Sequence, residues 1–249
     1  LGVLLGTFLS VAALGMYVLA RRLGASRAGA FLSGFAFAWS GFFVCQLRHL
    51  GIMGAVVPFP WAVYCLERAA AGDAASAAEA RRMDPRRRLL WALAFGGCFG
   101  AQCLAGFPQS AYISALFYAA LAAARCLWLL DLKRRRPWRA RLGPACAFGG
   151  CALAGVLAGG LVGGAALLPL HELGALSPRG GGGSYAWATY FKYDLPNLLT
   201  FLSPYANGDI SDLTYRGRSV FWEDYGYAGL LTLAGACVAV GLCLKRLLQ

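Results

Sequence analysis

The sequence predicts an all-α, polytopic transmembrane helix bundle, and three observations carry that prediction. Hydrophobic residues make up 59% of the chain and charged residues only 14%, with a mean hydropathy of +0.58. A soluble domain needs more polar surface than that to cover its core. The apolar residues fall in blocks of roughly 16–28, close to the ~20 that carry a helix across a ~30 Å hydrocarbon layer. The blocks are continuous rather than alternating and are rich in Ala, Leu and Gly, which argues against membrane strands. Finally, the basic residues collect between alternate blocks.

About seven spans follow, at 1–20, 28–47, 51–66, 89–107, 110–130, 142–170 and 226–244. The first opens the chain and ends at "RRLGASR". Leu1 already lies in an apolar run, so the chain is expected to be a fragment of a larger membrane protein. No small-residue cleavage site follows the first block, and a signal peptide is not expected. The second span carries Ala30, Gly34 and Ala38 at four-residue spacing. The third, "GIMGAVVPFPWAVYCLE", is short and holds Pro58 and Pro60. Each proline removes a backbone donor, so this segment should be kinked and packed inside the bundle, where neighbours satisfy the freed carbonyls. The fourth has Gly96 and Gly100, and the sixth has Gly155, Gly159 and Gly163. Small residues in that register let another helix approach closely.

The formal charge of +12 would suggest nucleic acid in a soluble protein. Here position decides. With "RRLGASR" inside, loops 67–88 and 131–141 and the final "KR" fall on the same side, which then holds 18 of the 23 Lys and Arg. The acids show no such bias. Cytoplasmic loops collect Lys and Arg in this way, so the basic side is expected to face the cytoplasm and loop 171–225 to lie outside. Membrane lipids are then the expected surroundings, and no nucleic acid. The nine cysteines lie inside apolar blocks without a C-x-x-C, and read as small hydrophobes.

Three regions result: 1–170 with six spans and short loops, the extracytoplasmic loop 171–225, and 226–249 with the seventh span and a basic end. Within the loop, "GGGGS" is a hinge. "DLPNLLTFLSP" predicts a short helix, with Asp194 at its N-cap, Pro196 in its first turn and Pro204 at its end. Its Leu and Phe residues predict that it lies along the membrane surface. "ANGDISD" is a turn.

Chemistry-bearing residues are sparse and collect on the outer side. They are His49, Gln109, His171, Glu172, Arg179, Trp222 and Glu223 as candidate substrate-binding groups. Arg179 offers a planar fork suited to phosphate. Glu223 follows Trp222, an acid beside an aromatic on which a sugar can stack, and is the one catalytic candidate in view. Asp209 and Asp212 are weak candidates for a divalent metal ion, since two carboxylates in a Gly turn ordinarily serve only the turn. No P-loop, G-x-S-x-G or H-E-x-x-H occurs.

Taken in order, "GFAFAWSGFFVCQLRHL", "PFPWAVYCLERA", "LAGFPQSAY", "ALLPLHELGALSPR", "FLSP" and "FWEDYGYAGLLTL" resemble the bacterial YfhO family of polytopic membrane proteins. The matching polar positions are His49, Pro108, Gln109, Glu172, Ser177, Arg179, Trp222 and Glu223. That family is similar to the GT-C class of membrane glycosyltransferases. The resemblance therefore implies an enzyme that takes a sugar from a polyprenyl-phosphate donor and modifies an envelope acceptor on the outer side. GT-C enzymes carry a key acid in the first outer loop, which here would lie upstream of Leu1. Two other readings stay open. A lipid or sugar transporter or flippase would need polar groups in the span centres, where the sequence offers few beyond Ser and Thr. A non-catalytic membrane scaffold is the other.

Overall fold

The computed structural model describes residues 1–72, 77–80, 82–130, 137–177, 184–190, 193–217, 220, 221, 223 and 225–248. In chain order the helices are α1 (Gly2–Arg22), α2 (Arg27–Ala38), α3 (Gly41–Cys45), α4 (Leu50–Val56), α5 (Phe59–Ala71), α6 (Ala77–Ala80), α7 (Pro85–Leu104), α8 (Pro108–Leu130), α9 (Trp138–Leu176), α10 (Tyr185–Ala188) and α11 (Leu230–Leu248). A 3-10 helix covers Leu195–Phe201. The protein is all-α among the described residues. Five helical stretches there are long and apolar enough to cross a membrane: Gly2–Arg22, Arg27–Cys45, Leu50–Ala71, Pro108–Leu130 and Leu142–Leu176. This is the pattern of a multi-pass membrane protein. The stretches expected as the fourth and seventh spans are helical, as α7 and α11, but neither is among those five: α7 begins with Arg86, Arg87 and Arg88 in its first turn, and the apolar part of α11 is the shorter stretch Leu230–Lys245.

Local signals set the helix starts. Ser26 accepts the Gly29 N–H at 3.1 Å and starts α2; Asp84 accepts the Arg86 N–H at 3.0 Å and starts α7, with Pro85 in its first turn. The proline-bearing segment breaks at Val57–Pro58, between α4 and α5. The missing N–H groups of Pro58 and Pro60 deprive the carbonyls of Gly54 and Val56 of their usual helical donors. Between those two, the Ala55 carbonyl accepts a hydrogen bond from Gln102 Nε2 at 2.6 Å. The stretch Leu50–Ala71 is the most buried of the five, so the kinked segment does pack inside the bundle.

Glycine contact sets the tightest packing. A Cβ on Gly155 would collide with the Ala92 carbonyl oxygen. One on Gly159 would lie 2.7 Å from the Gly96 carbonyl oxygen, and one on Gly163 would lie 2.5 Å from Cys103 Cβ. Positions rise together along α7 and α9, so the two helices run parallel with their backbones in contact. The same device brings α2 onto α1, where a Gly34 Cβ would meet the Ala13 carbonyl oxygen at 2.6 Å. One core forms between α5, α7, α8 and α9 around Leu66, Phe95, Tyr118 and Phe148; a second joins α1 to α4 around Ala12, Phe43 and Met53. Meanwhile Leu90, Leu161 and Leu231 are largely exposed, whereas Glu67, Arg88 and Gln102 are buried. Apolar outside and small or polar inside inverts the order of a water-soluble protein and suits a lipid solvent.

Two ends can be told apart. At one, Arg88 donates to the carbonyls of Ala69 and Ala70, which close α5, and to that of Ala80. Arg125 of α8 pairs there with Glu67 of α5. At the other end, Gly51 abuts Ala105 and Phe107, and the segment before α11 docks on α3.

Candidate functional site

The second end carries an ordered polar cap. Its centre is the 3-10 helix, where the sequence predicted a short helix. Asp194 occupies the N-cap position but makes no side-chain capping bond. The polar side, Asn197 and Thr200, is buried, while Leu195, Leu198, Leu199 and Leu202 face outward. Tyr193 Oη donates to the Asn197 carbonyl at 2.8 Å, and Asn207 Nδ2 donates to Asn197 Oδ1 at 2.8 Å. Thr200 Oγ1 donates to the Asn197 carbonyl at 2.6 Å and accepts the Gly226 N–H at 3.1 Å. These bonds tie the start of the cap to its end.

The cap is fastened to the bundle at Gly41. Its N–H donates to the Tyr227 carbonyl at 2.7 Å, and a Cβ there would meet the Tyr225 ring at 2.6 Å. Only glycine leaves room for that ring. Tyr215, Phe221 and Tyr225 continue as an aromatic row, with centroids 5.4 and 5.5 Å apart. Burial, helped by the neighbouring Cys45, Tyr205 and Asp209, pushes the Tyr225 hydroxyl up to about 12.

The predicted residues distribute as follows. His49 takes the N-cap position of α4, its Nδ1 2.8 Å from Gln46 Oε1. Gln109 is exposed in the first turn of α8. Both flank the junction where Gly51 meets Ala105 and Phe107. Glu223 is exposed in the cap, and its N–H donates to the Val220 carbonyl at 2.8 Å. His171 and Glu172 were expected in the loop, just past a span ending at 170. Instead α9 continues to Leu176, and both are exposed on it, about 12 Å beyond the Gly163 contact at 1.5 Å per residue. Pro169 does not end the helix. Arg179 and Trp222 lie outside the described residues. Among the described residues, His49, Gln109, His171, Glu172 and Glu223 line none of the cavities between α7, α8 and α9, between α1 and α2, or between α2 and the start of α11.

The turn at 207–216 uses both carboxylates for itself. Asp209 Oδ1 accepts the Ser211 N–H, and Asp212 Oδ1 accepts the Thr214 N–H and hydroxyl. The Thr214 bonds hold the Asp212 carboxyl below its ordinary range. Among the described residues, no group of three or more His, Cys, Asp or Glu is placed to hold a metal ion. Gly208 at φ +84° and Leu213 at φ +62° make the turn.

No family model, curated protein or solved structure matches this chain.

Sequence reasoning missed a second polar centre inside the bundle. Gln102 is fully buried; its Nε2 donates to the Ala55 carbonyl and to Ser114 Oγ, and its Oε1 accepts the Tyr118 hydroxyl at 2.8 Å. The span centres are thus less bare than expected. The signal was present, since an amide in the apolar run "GCFGAQCLAG" needs a partner in lipid. Glu67 was missed as well. It is buried against the Arg125 fork, with Nε to Oε1 at 2.8 Å and Nη2 to Oε2 at 2.5 Å.

Proposed function

We propose that this chain is part of a membrane-embedded, YfhO-like and GT-C-like glycosyltransferase. It would take a sugar from a polyprenyl-phosphate donor and modify a cell-envelope polymer or lipid at the outer face of the bacterial inner membrane. The ordered series of motifs supports the reaction class. The observation that carries the site is the Gly41–Tyr227 clamp, which holds Tyr225 and Tyr227 against the start of α3, the helix that leads into "QLRHLG". In this reading the bundle is threaded seven times, with the basic end inside and the cap outside. The acid that deprotonates the acceptor hydroxyl comes from an upstream outer loop. Arg179 meets the phosphate leaving group, and Trp222 with Glu223 positions the sugar. His49 and Gln109 line the approach.

A carrier or flippase is the second reading, and the Gln102–Ser114–Tyr118 cluster is what favours it. That cluster is saturated, however. Both Gln102 amide donors are used within the bundle. Such a centre serves as packing glue rather than as a cargo site.

The test uses the full-length protein in vesicles with a radiolabelled sugar on a polyprenyl-phosphate carrier. Transfer to acceptor should fall at least about a hundredfold in Arg179→Ala, the scale of losing one charge-stabilising donor. It should hold in Arg216→Ala. Equal transfer by the two variants would remove Arg179 from the site. Carrier crossing the bilayer without any sugar transfer would favour the flippase.

A further inference from the structure

The 3-10 helix of the cap carries a face that the proposed chemistry does not use. With three residues per turn, positions three apart share a side. Asn197 and Thr200 form one column, and it is buried. Leu195, Leu198 and Phe201 form the second, and Leu199 with Leu202 the third. Both apolar columns face outward, from Leu195 at 81% exposed to Phe201 at 39%. The run "LPNLLTFL" carries no charge. Rolling the leucines inward would break the bond from Asn207 to Asn197 and the bond from Gly226 to Thr200, so the cap itself holds this face out.

We propose that this leucine face docks on lipid, lying in the interfacial layer of the leaflet at the cap end and anchoring the cap there. Depth, aromatic neighbours and size argue for that partner. Thr200 Oγ1 accepts the Gly226 N–H at 3.1 Å, and the next residue, Tyr227, accepts the Gly41 N–H at 2.7 Å. Gly41 opens α3, which closes the membrane-crossing stretch Arg27–Cys45. One residue step and two hydrogen bonds therefore tie the 3-10 helix to the end of a span. Trp39, two residues before Gly41, is 58% exposed, and an exposed Trp at a span end marks headgroup depth. Tyr193 and Tyr205 flank the leucines and are exposed as well. An apolar face at that depth sinks about 5–10 Å into the boundary between headgroups and acyl chains. Because the run is uncharged, apolar contact and not lipid charge holds it, and a neutral lipid suffices. A second copy is a poorer partner. A stable protein interface engages about 20–30 residues a side, far more than Leu195, Leu198, Leu199, Phe201 and Leu202 offer.

The test places a nitroxide on single cysteines at Leu198 and Leu199, in a cysteine-free background of the full chain reconstituted in phosphatidylcholine vesicles. Both side chains are exposed, so labels there leave the Asn197 and Thr200 bonds alone. Collisions with oxygen, which concentrates in lipid, and with a water-soluble nickel chelate report depth. The oxygen-to-nickel ratio should exceed that of a free label in the same buffer at least about tenfold, the worth of burying one leucine. Leu195→Glu with Leu202→Glu, both at exposed positions, should return a Leu198 label to the free-label ratio. Leu195→Met with Leu202→Met should leave it high. Nickel reaching both parent labels as freely as the free label would overturn the proposal. So would protection from oxygen and nickel alike, the mark of a second copy or another segment over the face. A ratio untouched by the glutamates would overturn it as well.

Discussion

Replacing Gly159 tests the packing logic with two substitutions of identical chemistry. Gly159 and Gly160 are neighbours on α9. A Cβ on Gly159 would lie 2.7 Å from the Gly96 carbonyl oxygen, 2.9 Å from Phe99 Cδ1 and 3.3 Å from the Gly100 nitrogen. Two of those three atoms are backbone, so no rotamer change relieves the clash and α7 must move away. A Cβ on Gly160 meets nothing within 4 Å. Alanine at Gly160 should therefore gain its helix propensity, up to about 1 kcal/mol. Alanine at Gly159 gains the same propensity but suffers overpacking of about 1–3 kcal/mol, with the upper end expected against backbone. The helices then separate along the whole glycine seam, since Gly155 and Gly163 are equally tight. The shared propensity gain cancels, so the two variants should differ by about 1–3 kcal/mol. Leucine should widen the gap. The assay is thermal unfolding in detergent, followed by the fraction that remains monodisperse on size exclusion. If Gly159→Leu melts like Gly160→Leu, the seam does not hold the bundle together.

Other consequences follow from the same contacts. Gln102→Leu strips the donor from the Ala55 carbonyl beside the proline break, and should cost about 1–2 kcal/mol in the same melt. Arg125→Met leaves Glu67 buried without its fork and should cost about 3–5 kcal/mol; Glu67→Leu with Arg125→Leu should recover most of that loss. Asp212 has a folded pKa below its free value of 3.8. Its contribution to the 207–216 turn is therefore complete above pH 3.8 and is lost as pH falls through the lower, folded value. Proteolysis of that turn should rise on acidification below this point, and Asp212→Asn should show the acid behaviour at pH 7.

Much of the fold was legible because lipid leaves few alternatives. Continuous apolar runs gave the five stretches able to cross a membrane, and four-residue glycine spacing marked Gly155, Gly159 and Gly163 as a face for another helix without naming α7 as that helix. The two prolines marked the α4–α5 break. Boundaries were less legible. The run from 142 continues past Pro169 to Leu176, because a proline inside a long helix can be accommodated without ending it. The 3-10 form of Leu195–Phe201 was also hidden, because it depends on Asn197 and Thr200 turning inward to partners at Asn207 and Gly226. Gly41 gave no sequence signal for docking, because its partner lies 186 positions away at Tyr227. The candidate site was legible only as residue types on one side. Composition shows where polar groups lie along the chain, not which of them meet. The buried Gln102 and Glu67 were overlooked because single polar residues barely alter the hydropathy of a long run, although each recruits a partner from another helix.

Sidedness is the claim on which the proposed site depends. Single cysteines at Asn207 in the cap and at Ala75 in a basic loop, each in a cysteine-free background, measure it directly. With a membrane-impermeant maleimide on intact cells, Asn207→Cys should label at once, and Ala75→Cys only after the membrane is opened. Labelling of both from outside would contradict a bundle threaded with its basic end inward.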